Sequence, residues 1–398
     1  MSDTDPFGGG DDLIDESVQE VEHSNFEGLK RTFKPWHKPR KQWIREFQWC
    51  KHAEDLISEV GEKCESLSYL SLPGNDMLDI RTLHKVCEAN EIMLRFLGFN
   101  AADEHETQEN DRNISHSEVH RLPFVDRQKS QIEWDRIEAI ANDRTTAYKK
   151  LCSHAPYDIV NIDLCGSIGT TAVYEGRNIF EAVASLIDVQ KTTRTEPWLL
   201  FLTTRSGKRS VKHSVLRQFI QFIENNCCEH DDFRDALGEK TLLDSEALCD
   251  LKCALGTTSD EKFMTLFALG FSKWMLSQAN NGHPSWAVNV LDIFAYNVYA
   301  EQKDMLSFAF KFTQQRTAAG DASNLTRRTP QINGGFLEEK DQAIQIVEKY
   351  SEKIDIDQVI QESPELEQQL IEKSARLLKE ARYCDESYKA WVAKGCPS

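Results

Sequence analysis

The stretch YDIVNIDLCG, from Tyr157 to Gly166, decides the fold that this sequence predicts. It is rich in isoleucine and valine, follows Pro156 and ends in a glycine turn, as a strand buried on both faces does. Strand-like and helix-like segments alternate on either side of it, from LSYLSL at Leu67 to PWLLFLTTR at Arg205. This alternation predicts an α/β fold with a doubly wound, mostly parallel sheet and crossover helices.

Two further strand-like segments complete the predicted sheet. WAVNVLDIFAYNVYA and MLSFAFKFTQQ are separated only by a short polar turn around residues 301–304. A parallel crossover needs a dozen residues or more, so these segments predict an antiparallel hairpin. Beyond Pro364 the apolar residues recur at helical spacing and predict a helical tail, which either packs on its own domain or offers a helix to a protein partner.

Shifts in composition divide the chain into five parts. We expect a disordered acidic arm over residues 1–28, a basic aromatic helical segment over 29–63, the α/β domain over 64–316, a linker over 317–335 and the helical tail over 336–398. The arm holds nine acidic residues and no lysine or arginine. A segment of that composition cannot bury a core of its own.

The charge of the whole chain restricts the classes of function. Among 398 residues there are 47 lysines and arginines and 65 aspartates and glutamates, a formal net charge of −18. This excludes a uniformly basic nucleic-acid coat but not a local basic site, because attraction depends on where the charges lie. No apolar run approaches the roughly 20 residues that cross a bilayer, and the start MSDTDPFGGGDD lacks the features of a signal peptide. We therefore expect a cytoplasmic protein without membrane contact.

The 11 cysteines form no CxxC pair, so we expect reduced thiols in a reducing compartment. One cluster offers zinc ligands as the alternative: Cys227, Cys228, His230, Cys249 and Cys253. Adjacent cysteines chelate poorly, and SEALCDLKCALG is typical of an amphipathic helix with cysteines on its buried face. We expect no metal site.

A basic segment follows the acidic arm abruptly. From Lys30 to Lys51 there are eight lysines and arginines against one acid, Glu46, and five aromatic residues lie among them. Cations that neutralise phosphates and rings that stack on bases together suit nucleic acid. The candidate contact residues are Trp36, Arg40, Lys41 and Trp43. The alternative is a helix that packs Trp43 and its aromatic neighbours on the α/β domain while the charges stay in solvent.

A second basic group, Arg205, Lys208 and Arg209, follows the strand PWLLFLTTR. Polar residues also end the strand that contains Asn161 and Asp163. Both sites lie at carboxyl ends of predicted parallel strands, where ligands bind in open α/β sheets. Asn161 and Asp163 are two residues apart and therefore point to one face. They are candidate catalytic residues, with capping of the following loop as the alternative.

The element order, with its terminal antiparallel hairpin, resembles the class I S-adenosylmethionine-dependent methyltransferase-like superfamily of Rossmann type. The resemblance implies S-adenosylmethionine (SAM) as cofactor, bound across Leu72, Pro73 and Gly74 and at Asn100, with Asn161 and Asp163 orienting or deprotonating the acceptor. The sequence departs from the pattern at three points. The first turn has one glycine, the acid that binds the ribose is absent at Asn100, and the fourth strand continues as Leu-Cys-Gly in place of two prolines and an aromatic residue.

Two functions follow from these patterns. The first is a methyltransferase that binds SAM and acts on nucleic acid, DNA among the candidates. The second is a catalytically silent methyltransferase-like subunit for nucleic-acid binding or assembly. The overall pattern also resembles uncharacterised bacterial proteins of mobile or antiviral defence gene islands. The sequence contains no GxxxxGK[ST], HExxH or GxSxG motif, so P-loop hydrolysis and the commonest zinc and serine hydrolases are disfavoured.

Overall fold

A computed structural model describes residues 29–61, 64–101, 106–170, 173–241, 243, 248, 252, 255–298, 303–315 and 337–397. The expected acidic arm and the expected linker lie outside these residues. The strands are β1 (Ser66–Ser71), β2 (Met93–Phe99), β3 (Gln131–Glu133), β4 (Ile159–Asp163), β5 (Trp198–Arg205), β6 (Trp286–Tyr296), β7 (Met305–Gln314) and β8 (Ile354–Asp355).

The helices flank this sheet and also form both ends of the described chain. They are α1 (Pro39–Ile44), α2 (Lys51–Val60), α3 (Leu78–Ala89), α4 (Glu106–Arg121), α5 (Thr146–His154), α6 (Ile179–Thr193), α7 (His213–Glu229), α8 (Asp231–Lys240), α9 (Asp260–Asn280), α10 (Glu339–Ser351), α11 (Ile356–Glu362), α12 (Pro364–Glu380) and α13 (Asp385–Ala393). A six-residue π-helical segment, Arg45–Cys50, joins α1 to α2. No helix among the described residues is both long and apolar enough to span a membrane.

The eight strands form one sheet in the order β3-β2-β1-β4-β5-β7-β6-β8. The pairs from β3 to β5 are parallel, and β7 is antiparallel to both β5 and β6. The sheet is therefore doubly wound and mostly parallel with a terminal antiparallel hairpin, which confirms the predicted fold class. Strand order reverses between β1 and β4, the position where open α/β sheets bind ligands.

The central strand β4 separates two buried clusters. Val160 and Ile162 pack into the larger cluster, with α6, α7 and α9. Ile159 packs into the second, with α3 and with Trp43, Trp49 and other residues of the N-terminal segment, 29–61. Alternation along the strand therefore turns Asn161 and Asp163, which share the parity of Ile159, towards the N-terminal segment.

Two local predictions are wrong. The composition of the polar stretch after Asn100 and of the following SEVHRLPF predicts a loop and then a strand, whereas Glu106–Arg121 is the helix α4. Few apolar residues mark α4, and it is held by ion pairs from Glu118 to Arg81 and Arg382. Conversely, the pattern from Ile132 to Cys152 predicts one helix, but this segment begins in the three-residue strand β3, which is too short to leave a periodic pattern, and only its last part is the helix α5.

Candidate functional site

The carboxyl ends of β1 and β4 meet at a buried polar chain. The amide nitrogen of Asn161 donates to the Tyr69 hydroxyl at 2.9 Å, and that hydroxyl donates to Asp79 Oδ2 at 3.1 Å. Burial raises the pKa of Asp79, although hydrogen bonds, the one from Ser71 largest among them, oppose the rise. The Asn161 Oδ1 atom is buried and accepts no hydrogen bond from any described residue. Asn161 thus belongs to a network inside the sheet edge.

Asp163 is paired with a cation from the N-terminal segment. Lys41 Nζ lies 2.5 Å from Asp163 Oδ1 and 4.8 Å from the centre of the Trp49 ring. Only 4% of Lys41 is exposed. Burial lowers the pKa of the Lys41 ammonium, and the charge of Asp163 opposes that shift. Asp163 therefore lies against the primary ammonium group of a lysine from the same chain.

The π-helical segment explains how a second cation reaches the same place. Its wider turn brings Arg45 and Trp49 onto the buried face, and π-helical turns occur frequently at functional sites. The Arg45 guanidinium donates to the Trp36 carbonyl at 3.2 Å and forms no ion pair within the described part of the chain. Burial lowers the pKa of Arg45, with Asp163 as the largest opposing charge.

The residues expected to bind the cofactor form the neighbouring turn. Pro73 is buried, and a Cβ placed on Gly98 of β2 would lie only 2.8 Å from Pro73 Cγ, so the ring fills the space between the ends of β1 and β2. Leu72 is half-buried, and Gly74 is exposed with nothing within 4 Å of an added Cβ. Asn100 donates to Asn75 Oδ1 at 3.3 Å.

Both ends of the described chain close over this turn. Asp76 accepts hydrogen bonds from Lys30 at 2.8 Å and from the Tyr383 hydroxyl at 2.9 Å. The Lys30 backbone also donates to the Arg382 carbonyl and accepts from the Cys384 amide. Burial alone raises the pKa of Asp76, but the His37 ring and the Lys30 charge outweigh it and hold that pKa well below its usual range.

A cavity of about 40 Å³ lies beside Asp163. Its lining comes from the N-terminal segment, the end of β4 and the β6–β7 hairpin: Pro35, Trp36, Lys38, Arg40, Lys41, Asp163, Leu164, Cys165, Tyr296, Asn297, Val298 and Met305. A cavity needs about 10–15 Å³ to hold one water molecule, so this cavity has room for a few waters or one small ion. Cys165 is an exposed residue, but desolvation of its thiol and the Asp163 charge raise its pKa, which does not favour an activated nucleophile.

The described residues do not fit SAM in this conformation. Lys30 and Tyr383 bind Asp76 at the end of the turn after β1, and Pro73 lies against Gly98 of β2, while Gly74 stays exposed. The sulfonium of SAM is positively charged, whereas the polar groups beside β4 include the buried cations Lys41 and Arg45. A nucleoside-sized ligand also needs a pocket of several hundred Å³.

The candidate nucleic-acid residues of the N-terminal segment differ in accessibility. Trp36 is 38% exposed, and Arg40 is half-buried in an ion pair with Asp357. Lys41 and Trp43 are buried in the domain, as the packing alternative predicts for Trp43. In the second group, Arg209 is exposed, Arg205 is half-buried and Lys208 pairs with Asp260 at 3.0 Å.

A series of hydrogen bonds places the two basic groups on one edge of the sheet. Lys38 Nζ donates to the Val298 carbonyl at 2.7 Å, and the Val298 amide donates to Asp304 Oδ1 at 2.8 Å. The Asp304 carbonyl in turn accepts from the Ser206 amide at 2.9 Å. The connection between β6 and β7 therefore lies between the two groups.

Several residues of this edge carry no sequence signal. Arg45, His37 and Tyr296 are buried beside residues far away in the sequence, and no spacing pattern marks them. The zinc alternative is not tested, because Cys249 and Cys253 lie outside the described residues. Within the described residues, no group of three or more histidines, cysteines or acids is arranged to hold a metal ion.

Comparison with known proteins gives a family but no function. No curated protein matches the sequence. A solved structure from Listeria monocytogenes, provisionally described as a class I S-adenosylmethionine-dependent methyltransferase, is 12% identical with a TM-score of 0.31. That match covers 67% of this chain and 59% of the other, so the chain spans less than two thirds of that protein. A family model matches residues 30–393, and the chain belongs to the PP_RS20740-like family.

Proposed function

We propose that this chain is a catalytically silent, methyltransferase-like protein that binds nucleic acid at the carboxyl edge of its sheet. The ion pair between Lys41 and Asp163 carries this proposal. In this pair the Lys41 ammonium group occupies the position beside the Asp163 carboxylate that the amine of a methyl acceptor would have to take. Removing one member of a buried pair is costly, so this arrangement resists opening.

The exposed cations of the same edge support the nucleic-acid part of the proposal. Arg31 and Lys34 are exposed on the N-terminal segment beside the half-exposed ring of Trp36, and Arg209 and Lys212 are exposed after β5. Cations of this kind neutralise phosphates and release counterions, and an exposed indole stacks on an unpaired base. The net charge of −18 leaves this local arrangement possible.

Calorimetry with SAM tests the silent part of the proposal. We expect no heat of binding at high protein concentration and no transfer of tritium from labelled SAM to DNA, RNA or protein. A dissociation constant below about 10 μM would contradict the proposal, because that affinity requires about 7 kcal/mol of binding free energy from a formed site.

Fluorescence anisotropy with single-stranded DNA and RNA tests the binding part. We expect affinity to fall as salt rises, and to fall further in the variant Arg31→Gln/Lys34→Gln. The slope of log affinity against log salt should be reduced by roughly one for each phosphate that the variant no longer neutralises. The matched control is Arg127→Gln/Lys129→Gln, which removes two exposed cations preceding β3, at the opposite edge. If both variants bind nucleic acid equally well, the carboxyl edge of the sheet is not part of the nucleic-acid interface.

SAM-dependent methyl transfer is the second candidate. The observation in its favour is that Asn161 and Asp163 do lie at the carboxyl end of β4, at the switch point of the sheet. It requires the N-terminal segment to leave Asp163, and the SAM titration above distinguishes the two candidates. A role in bacterial defence or in a mobile element stays a prediction, as do a cytoplasmic location and a protein partner for the C-terminal tail.

A further inference from the structure

The cavity beside Asp163 has a charge imbalance that the proposed function does not use. Three cations and one carboxylate line it: Lys38, Arg40, Lys41 and Asp163. Two of the cations have acidic partners, because Lys41 pairs with Asp163 and Arg40 pairs with Asp357 behind the lining.

Lys38 is the lining cation that lacks such a partner. Its ammonium donates to the neutral Val298 carbonyl at 2.7 Å, and no carboxylate of the described residues lies within ion-pair distance of it. Burial lowers the pKa of Lys38, with the Arg40 charge acting in the same direction. An ammonium group has three donors, so at least two remain for a ligand.

Arg45 is a second buried cation without an ion pair among the described residues, although the charges of Asp163 and Asp79 partly stabilise it. Its guanidinium bonds the carbonyl of Trp36, a lining residue, and its Nε is buried without a hydrogen-bond acceptor within the part of the chain that the structure describes. Burying a cation without a counter-ion is costly. A nearby anion would offset part of that cost for both Lys38 and Arg45.

We propose that this cavity is an anion-binding pocket that accepts one phosphate group. Phosphate carries between one and two negative charges at neutral pH, which suits a cavity of about 40 Å³ that has the unpaired Lys38 in its lining and the buried Arg45 bonded to another lining residue. The aromatic residues Trp36 and Tyr296 are also part of the lining. Asp163 does not repel the anion strongly, because Lys41 already pairs with it. The pocket is independent of the proposed function, since it concerns a single phosphate and not a polymer.

The test is a calorimetric titration of the full chain with inorganic phosphate and, separately, with 5′-AMP. We expect saturable binding of at least one probe, weakened fivefold or more by Lys38→Met. Lys38→Gln is the second variant, because it retains a donor for the Val298 carbonyl while removing the charge. Lys51→Met is the matched control: Lys51 lies in the same segment but is exposed and does not line the cavity. We expect it to change affinity less than twofold.

Each outcome decides the proposal. Binding of phosphate that depends on Lys38 supports the pocket with a free anion as its occupant. Binding of 5′-AMP alone, with the same dependence, supports it with an esterified phosphate. The proposal is overturned if neither probe binds, if Lys51→Met weakens binding as much as Lys38→Met does, or if sodium chloride at the same ionic strength gives the same heat as the probes.

Discussion

The two basic groups of this protein look alike in sequence and differ in structure. In the first, Lys41 and Arg45 are buried at the carboxyl edge of β4, and Lys41 pairs with Asp163. In the second, Arg209 is exposed and Lys208 pairs with Asp260 near the surface, where the two side chains are 28% and 46% exposed. What separates the groups is how deeply the paired lysine is buried, since the Lys41 side chain is 5% exposed and that of Lys208 is 28% exposed. A run of cations therefore predicts a binding surface only after its internal acidic partners are known.

Asp163→Asn should have the largest effect on stability. It leaves Lys41 buried without a counter-ion, and breaking a buried pair costs about 3–5 kcal/mol. Because the Asp163 side chain is 25% exposed, we expect a loss near the lower end, about 3 kcal/mol. Urea unfolding with circular dichroism measures the change. A loss of less than about 1 kcal/mol would show that Lys41 is in contact with solvent, as the cations of the second basic group are.

Asp76→Asn should have an intermediate effect that depends on pH. The pKa of Asp76 is lower in the folded than in the unfolded protein, so its stabilising contribution is complete above the unfolded value of about 3.9 and is lost as the pH falls below it. We expect a loss of about 2 kcal/mol at pH 7, from the hydrogen bonds of a buried carboxylate.

The measurement is the free energy of unfolding of both proteins between pH 7 and pH 2. The difference between them should stay constant down to about pH 5 and then shrink, because the Asp76 carboxyl of the unfolded wild-type chain takes up a proton at a pH at which the folded protein keeps it ionised. A difference that is independent of pH would show that the closure of the N-terminal segment over the β1 turn does not depend on the Asp76 charge.

Asp260→Asn should have the smallest effect. Its partner Lys208 lies near the surface, and pairs of this kind contribute about 0–1 kcal/mol. We expect a loss of at most about 0.5 kcal/mol, which salt at about 0.5 M abolishes because exposed charges are screened. A loss comparable with that of Asp163→Asn would contradict the distinction between the two groups.

The sequence predicts the sheet better than the site. The Ile- and Val-rich run of β4 and the two strands β6 and β7 have local causes, and these strands lie where predicted. That Asn161 and Asp163 share one face also follows from the two-residue period of a strand. These features depend on neighbours in the sequence, which is why reasoning from patterns finds them.

The closure of the site could not be predicted in this way. Lys41 and Asp163 are 122 residues apart, and Arg40 and Asp357 are 317 residues apart, so no local pattern connects either pair. The composition of the basic segment suggests a nucleic-acid surface, because it does not reveal that Asp163 and Asp357 pair with its cations. The π-helical segment that turns Arg45 inwards has no recognisable sequence pattern either. Ion pairs that form in the tertiary structure therefore decide which cations remain free to bind a ligand.

A double-mutant cycle on Lys41 and Asp163 tests the central claim most directly, namely that the N-terminal segment closes the carboxyl edge through this pair. The cycle uses Lys41→Met, Asp163→Asn and the double variant, each unfolded in urea at pH 7. We predict a coupling energy of at least about 2 kcal/mol, with the double variant more stable than Asp163→Asn alone, because it no longer buries an unpaired charge. A coupling energy below about 0.5 kcal/mol would contradict the claim and leave Asp163 free to meet a ligand.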